Sequence, residues 1–269
     1  MTNNFSLEAG EYIPECSYIL WNDIDNNMIL ESLSLLCLNA RSIAGKFAEF
    51  LAHLECIKSK FAFIIIVETW LNNADDVSFD IDGYKSYSMN RSGHGGGIKI
   101  YADERINTSK IDILSGEYNG CESLFLSAHV PSYGEIVIGG IYRPPGKPIA
   151  NFCEQFSNML DLVGSKRCVI GSDMNINVLD STNQQVKDYV DICNQHNFTN
   201  EIILPTYINP SLNTESTCLD HILTNLSRSK RSLVIRPAIA DHDAIALLVS
   251  HSVKYPIKTI KFRNLFRAK

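Results

Sequence analysis

The sequence predicts an α/β (α+β) fold, a four-layer sandwich of two mixed β-sheets flanked by helices. Two observations predict it. Short apolar runs with strand character are interspersed with amphipathic helical stretches, without the strict strand–helix–strand alternation that a doubly wound parallel sheet needs. The middle of the chain, 97–142, reads as consecutive strands punctuated by Gly and Pro at 93–97, Pro131 and Pro144-Pro145. A chain of 269 residues suits one large domain or two small ones. The organisation expected is an N-terminal extension over 1–32, where no periodicity is clear, a domain over 33–250, and a basic C-terminal tail or linker over 251–269.

Taken in order, 33–38 is a buried strand, followed by a helix on which Ile43, Phe47, Phe50, Leu51, Leu54 and Ile57 recur at helical spacing, with Ser42 as its N-cap. A second buried strand runs over 61–67 and ends at Glu68. Strands follow over 97–101, 123–130 and 135–142. Ile149–Val163 is a helix with Phe152, Phe156, Met159, Leu160 and Val163 inward. A short strand over 167–171 precedes a helix over 183–194 that turns Val186, Val190 and Cys193 inward, and 219–223, 232–235 and 244–249 are the last strands.

Composition narrows the function. The net charge of −6 disfavours a protein that coats nucleic acid nonspecifically, which takes many phosphate-neutralising cations, but not an enzyme that grips a short stretch of backbone. The eight cysteines include no C-x-x-C pair and several lie within apolar runs, as in a reduced intracellular protein. Acidic residues from Glu8 to Asp25 interrupt any signal-peptide core, and the longest apolar run, 61–67, is too short to cross a bilayer, so no membrane association is expected.

Polar residues recur where buried strands end: Asn39 after Leu38, Glu68 after Val67, Tyr142 after Ile141, Asp173 and Asn175 after Gly171, and Asp241-His242 after Ala240. Strand ends are where such folds build sites, because the sheet fixes the side chains while the loops admit a ligand. Glu68, Asp173, Asp241, Asn39 and Asn175 offer only hard oxygen, which selects Mg²⁺ or Mn²⁺ over zinc, and His242 and Tyr142 can stabilise or protonate charged oxygens. Together they meet the needs of phosphodiester hydrolysis. The glycine run at 93–97 lacks the Gly-Lys-Ser/Thr of a phosphate-binding P-loop and reads as a flexible entry into a strand.

The ordered series 38–42 (LNARS), 67–70 (VETW), 140–145 (GIYRPP), 172–175 (SDMN), 216–222 (STCLDHI) and Asp241-His242 resembles the endonuclease/exonuclease/phosphatase superfamily, and more narrowly the apurinic-type endonuclease domain of non-LTR retrotransposons. The resemblance covers about 33–250. It implies that Glu68 is the main metal ligand, with Asn39 beside it and Asp241 assisting. It implies that Tyr142 contacts the scissile phosphate, that Asp173 activates water with Asn175, and that Asp220 orients His242, which stabilises the pentacovalent phosphate. Arg143, Asn177 and Thr217 are expected to bind substrate. The implied cofactor is Mg²⁺, with Mn²⁺ as substitute, and the implied substrate is DNA, cut to leave a 3′-hydroxyl for a reverse transcriptase domain of the parent protein. A nuclear location is expected if the target is chromosomal. Three positions depart from the family: Ser172 replaces a frequent Gly, Ala240 a frequent Ser, and Arg41 an acidic residue found in some members. Two alternatives remain: a phosphatase or phosphodiesterase of the same fold acting on another phosphate ester, and an inactive remnant. The basic stretch of Arg228, Lys230, Arg231 and Arg236 reads as a solvated loop or a track for DNA backbone.

Overall fold

The computed structural model describes residues 12–91, 95–208 and 216–251. In chain order its strands are β1 (Cys16–Leu20), β2 (Ser32–Asn39), β3 (Phe63–Val67), β4 (Tyr84–Met89), β5 (Ile98–Asp103), β6 (Asn107–Lys110), β7 (Gly116–Tyr118), β8 (Cys121–Val130), β9 (Gly134–Tyr142), β10 (Cys168–Asp173), β11 (Thr199–Asn200), β12 (Tyr207–Ile208), β13 (Ser216–Thr217), β14 (Asp220–Thr224), β15 (Lys230–Arg236) and β16 (Ala244–Ser250). Its α-helices are α1 (Asn26–Leu30), α2 (Phe47–Cys56), α3 (Ile149–Val163) and α4 (Gln184–Gln195). Two seven-stranded mixed sheets form, one ordered β1-β15-β16-β2-β3-β5-β4, the other β11-β14-β10-β9-β8-β6 with β7 on β8.

Side-chain alternation explains the four layers. Along β2 and β3, Leu35, Cys37, Phe63, Ile65 and Val67 face the seam between the sheets, where they meet Leu124, Leu126 and Ile138 of the second sheet. Their neighbours Leu36, Leu38, Ile64 and Ile66 face outward onto Phe50 of α2. On the second sheet, Phe125, Ile141 and Ile170 turn outward under Phe152 and Phe156 of α3 and Tyr189 of α4. A strand buried on both faces reads as a continuous apolar run, which is why these segments were legible.

The expected α3 boundaries are observed unchanged, and Asn183 caps α4 by accepting the Gln185 N–H through its side chain. Other expectations shift. Ser42 does not cap α2: the helix begins at Phe47, while Ser42 sits at φ 74° and donates its N–H to the Glu68 carbonyl. Tyr189, rather than Val190, is buried on α4. Part of the stretch assigned to the extension packs on the domain: β1 pairs in parallel with β15, and Trp21 is buried against the outer face of the first sheet. The edge strands β4 and β6 carry no continuous apolar run, so periodicity did not reveal them. Residues 1–11 of the proposed extension, 252–269 of the proposed tail, and residues 92–94 of the glycine-rich stretch lie outside the described residues.

Beneath one end of the sandwich two glycines let the sheets lie close together. Gly140 on β9 and Gly171 on β10 are register partners. A Cβ on Gly140 would stand 2.9 Å from Ile98 Cγ2, and one on Gly171 would stand 3.0 Å from Cys37 Cβ. The first tests the constraint: Gly140→Val is expected to overpack the seam and destabilise the protein by about 1–3 kcal/mol, read as a lower urea midpoint. An unchanged midpoint would show that the sheets do not need this approach.

Candidate active site

Two residues beyond those glycines, the chains of the two sheets open into a cleft of about 400 Å³ lined by Asn39, Glu68, Tyr142, Asp173, Asn175 and His242 among others. Topology explains the convergence. β2 runs parallel to β3, and β9 parallel to β10, so Asn39, Glu68, Tyr142 and Asp173 all lie at strand C-termini. β14 and β16 run antiparallel to these, so their starts bring Asp220 and His242 to the same end. Asp173 and Asp220 are direct register partners.

Hydrogen bonds weld the cluster. The Asn39 amide donates to Glu68 Oε1 at 3.0 Å and to Asp173 Oδ2 at 2.8 Å, bridging the two sheets, while its oxygen accepts the Arg41 N–H at 2.9 Å. Asp173 Oδ1 accepts the Asn175 N–H at 2.9 Å, and the Asn175 side chain donates to the Arg143 carbonyl at 2.8 Å. Glu68 lies at φ 53°, a left-handed conformation that its loop enforces: Trp70 N–H donates to the Gly96 carbonyl, Thr69 N–H to that of Gly97, and the Trp70 indole to Glu68 Oε2 at 3.1 Å. Gly96 and Gly97 thus fasten the Glu68 loop.

On the far wall, His242 Nδ1 lies 2.7 Å from Asp220 Oδ2, which also accepts the Thr206 hydroxyl at 2.6 Å. The Tyr207 ring packs on the imidazole at 4.9 Å between centroids. This fixes Nδ1 as the donor to Asp220 and leaves Nε2 for the cleft. Burial acts to lower the His242 pKa, but Asp220, Asp173 and Glu68 outweigh it and raise it to about 9, so the imidazolium is the neutral-pH form. Burial and the Asp220 charge push Asp173 up to about 7, against His242 and the donors from Asn175 and Asn39. Burial and the nearby Glu68 keep the Tyr142 phenol protonated.

Metal-ligand atoms of Asp173, Asp220 and His242 lie within 4.8 Å of one another. Asp220 Oδ2 already accepts from His242 and Thr206, and Glu68 and Asp173, joined by the Asn39 amide, are further carboxylates of the cleft that could hold a cation. Crowded, oxygen-only carboxylates, one of them raised by burial and a like charge, are the environment a hard divalent cation relieves.

The expected roles therefore divide. Asn39, Glu68, Tyr142, Asp173, Asn175, Asp220 and His242 are brought together. Asp241 lies at the cleft rim, where the Arg41 guanidinium takes the charge that was assigned to a metal. Arg143 is buried, and its guanidinium donates to the carbonyls of Met174, Lys147 and Asn175, so it staples the Asp173 loop rather than holding substrate. The Asn177 amide oxygen accepts the Cys218 N–H at 3.1 Å and also ties down a loop. Thr217 pairs with Tyr207 in the small β12–β13 ribbon. None of these three lines the cleft. The basic stretch is largely engaged: Arg228 stacks on Tyr133, Lys230 pairs with Glu201, Arg231 with Glu15 and Arg236 with Asp243. Thr206, Tyr207 and Trp70 are site residues that the sequence reading does not single out; only Trp70, two residues after Glu68, carries a signal.

No protein-family model and no curated protein matches the chain. Solved structures do. The endonuclease domain of TRAS1, a telomere-specific non-LTR retrotransposon, is 15% identical over 80% of this chain and 97% of its own, with a TM-score of 0.60. The AP endonuclease LMAP from Leishmania major is 12% identical over 89% and 93%, with a TM-score of 0.66. An endonuclease/exonuclease/phosphatase family protein from Bacteroides thetaiotaomicron is 14% identical over 81% and 95%, with a TM-score of 0.61. The chain has the fold these proteins share.

Two expectations arise from groups behind the cleft. Arg143→Met should cost about 2–4 kcal/mol in urea unfolding, since one buried and two partly buried carbonyls lose their charged donor; a cost near zero would contradict the stapling role. His221 is buried between the Tyr189 hydroxyl and the Ile176 carbonyl, and burial pushes it down to about 4. With an ordinary value near 6.5 when unfolded, the unfolded chain binds the extra proton, so this contribution is intact above about pH 6.5 and is lost as pH falls towards 4. The drop in urea midpoint between neutral and mildly acidic pH should be smaller in His221→Gln than in wild type, and equal drops would refute the assignment.

Proposed function

We propose that this protein is a divalent-metal-dependent phosphodiesterase that nicks DNA and leaves a 3′-hydroxyl. The observation that carries the proposal is that Asp173 and the Asp220-held His242 face one cleft beside Glu68, from strands of two sheets. A carboxylate that accepts protons near neutrality and an imidazolium set across from it are the acid–base pair that an in-line displacement at phosphorus uses.

In this reading Glu68 holds the cation with Asn39 alongside, and Mg²⁺, or Mn²⁺ in its place, supplies charge neutralisation at the phosphoryl group. Asp173 takes the proton of the attacking water, held in orientation by the donors from Asn39 and Asn175. The new P–O bond forms as the P–O3′ bond breaks, and the departing oxygen gains its proton from solvent in the open cleft. His242 donates through Nε2 to a non-bridging oxygen as charge develops, while Asp220 holds the ring. The neutral Tyr142 phenol donates to the same phosphate.

The likeness to the TRAS1 domain and the motif series of 38–42, 67–70 and 140–145 support target nicking by a retroelement, with the 3′-hydroxyl priming a reverse transcriptase encoded by the same parent gene and the work done in the nucleus. Reading the gene downstream of the Lys269 codon checks that partner directly.

Supercoiled plasmid tests the reaction. Wild type should convert it to open circles with Mg²⁺ and not with EDTA, and Asp173→Asn and His242→Ala should each slow nicking by about 10²–10⁴-fold while circular dichroism stays native. Variants as fast as wild type would sink the assigned chemistry. Hydrolysis of a small phosphomonoester without nicking would move the substrate to the phosphatase class, and a folded, inert wild type would mark an inactive remnant.

A further inference from the structure

We propose that Arg41 is the backbone-phosphate anchor of the cleft and that Asp241 is its placeholder while no substrate is bound. The proposal rests on the reading of the cleft as a DNA phosphodiesterase site. Among the described residues lining the cleft, Arg41 alone carries a permanent positive charge, against the carboxylates of Glu68, Asp173 and Asp241. A polyanion entering such a cleft needs a cation supplied by the protein, and guanidinium matches phosphate in a bidentate fork. The neighbouring arginines are not available for this: Arg143 is buried on carbonyls, and Arg236 is held by Asp243 and stacked on Tyr18.

The loop that carries Arg41 is built to aim it. Arg41 and Ser42 lie at φ 39° and 74°, a left-handed pair of non-glycine residues that persists only where surroundings over-determine it. Lys46 Nζ donates to the Ala40 and Arg41 carbonyls at 2.7 Å each. The Arg41 N–H donates to the oxygen of Asn39, the amide that bridges Glu68 and Asp173. The backbone of the anchor is thus tied to the carboxylate cluster through Asn39.

Its present partner is easily displaced. The side chains of Arg41 and Asp241 are 58% and 38% exposed, and water screens an ion pair so placed. A phosphodiester can take over the guanidinium at little cost, and the freed Asp241 carboxylate returns to water.

Anisotropy titration of a short fluorescein-labelled DNA duplex in EDTA, at several salt concentrations, tests this. Arg41→Ala should weaken binding about tenfold and lower the slope of log K against log salt by about one, with Arg41→Lys in between. Asp241→Asn should tighten binding, by up to about fivefold, and should have a smaller effect in the Arg41→Ala background, where only the removal of a like charge remains. An Arg41→Ala protein with wild-type affinity and slope overturns the anchor, as does a wild type that binds no duplex; weaker binding by Asp241→Asn overturns the placeholder. Plasmid nicking separates this from the parent reading: a wild type that binds through Arg41 but never nicks defeats the hydrolase and leaves the anchor, whereas nicking with an indifferent Arg41 defeats the anchor alone.

Discussion

One side-chain amide crosses the seam between the sheets. Asn39, at the end of β2, donates to Asp173 at the end of β10 and to Glu68 beside it, and this requires the two sheets to stand close at that end. Gly140 and Gly171 permit the approach, because a Cβ at either position would meet the opposite sheet. The interior is close-packed, so displacement of one strand would be transmitted to the carboxylates two residues away. The cleft is therefore a property of the inter-sheet packing as much as of the residues that line it.

The same closeness sets the electrostatics. Burying carboxylates side by side is unfavourable, and Asp173 is raised to about 7 by burial and Asp220. The fold answers with His242, held as the imidazolium by Asp220, and with amide donors, but it directs no lysine or arginine into the carboxylate cluster among the described residues. The permanent cation nearest in the lining, Arg41, is turned to the rim and Asp241. A site left short of positive charge in this way suits a bound cation and an anionic substrate arriving together, which is the arrangement the proposed phosphodiesterase needs.

Much of the fold was legible because burial on both faces leaves a plain signature. The runs at β2, β3 and β10 are apolar without interruption, and α3 shows helical periodicity along its whole length. Legibility failed at edges and loops. The strand β1 depends on pairing with β15, more than 200 residues away, and the half-exposed β4 mixes tyrosine, serine and lysine with a single methionine. Ser42 has the chemistry of a helix cap, but the Glu68 loop claims its N–H. Among candidate site residues, those at strand termini converge, whereas Arg143, Asn177 and Thr217, expected at the substrate, serve the backbone or the small ribbon.

By itself, the order of residues marked the strands buried on both faces and the longer helices, and placed polar groups able to bind hard cations at strand termini. These are local properties, written in periodicity and in the polar residues that close each apolar run. Tertiary structure alone decided which further donor meets which acceptor: that Asp220 Oδ2 is shared between the His242 Nδ1–H and the Thr206 hydroxyl, that Arg143 turns inward, and that Arg41 and Asp241 face each other across the cleft mouth. Such partners lie up to 200 residues apart along the chain, and their distances are set by sheet order and inter-sheet spacing, which no local pattern records.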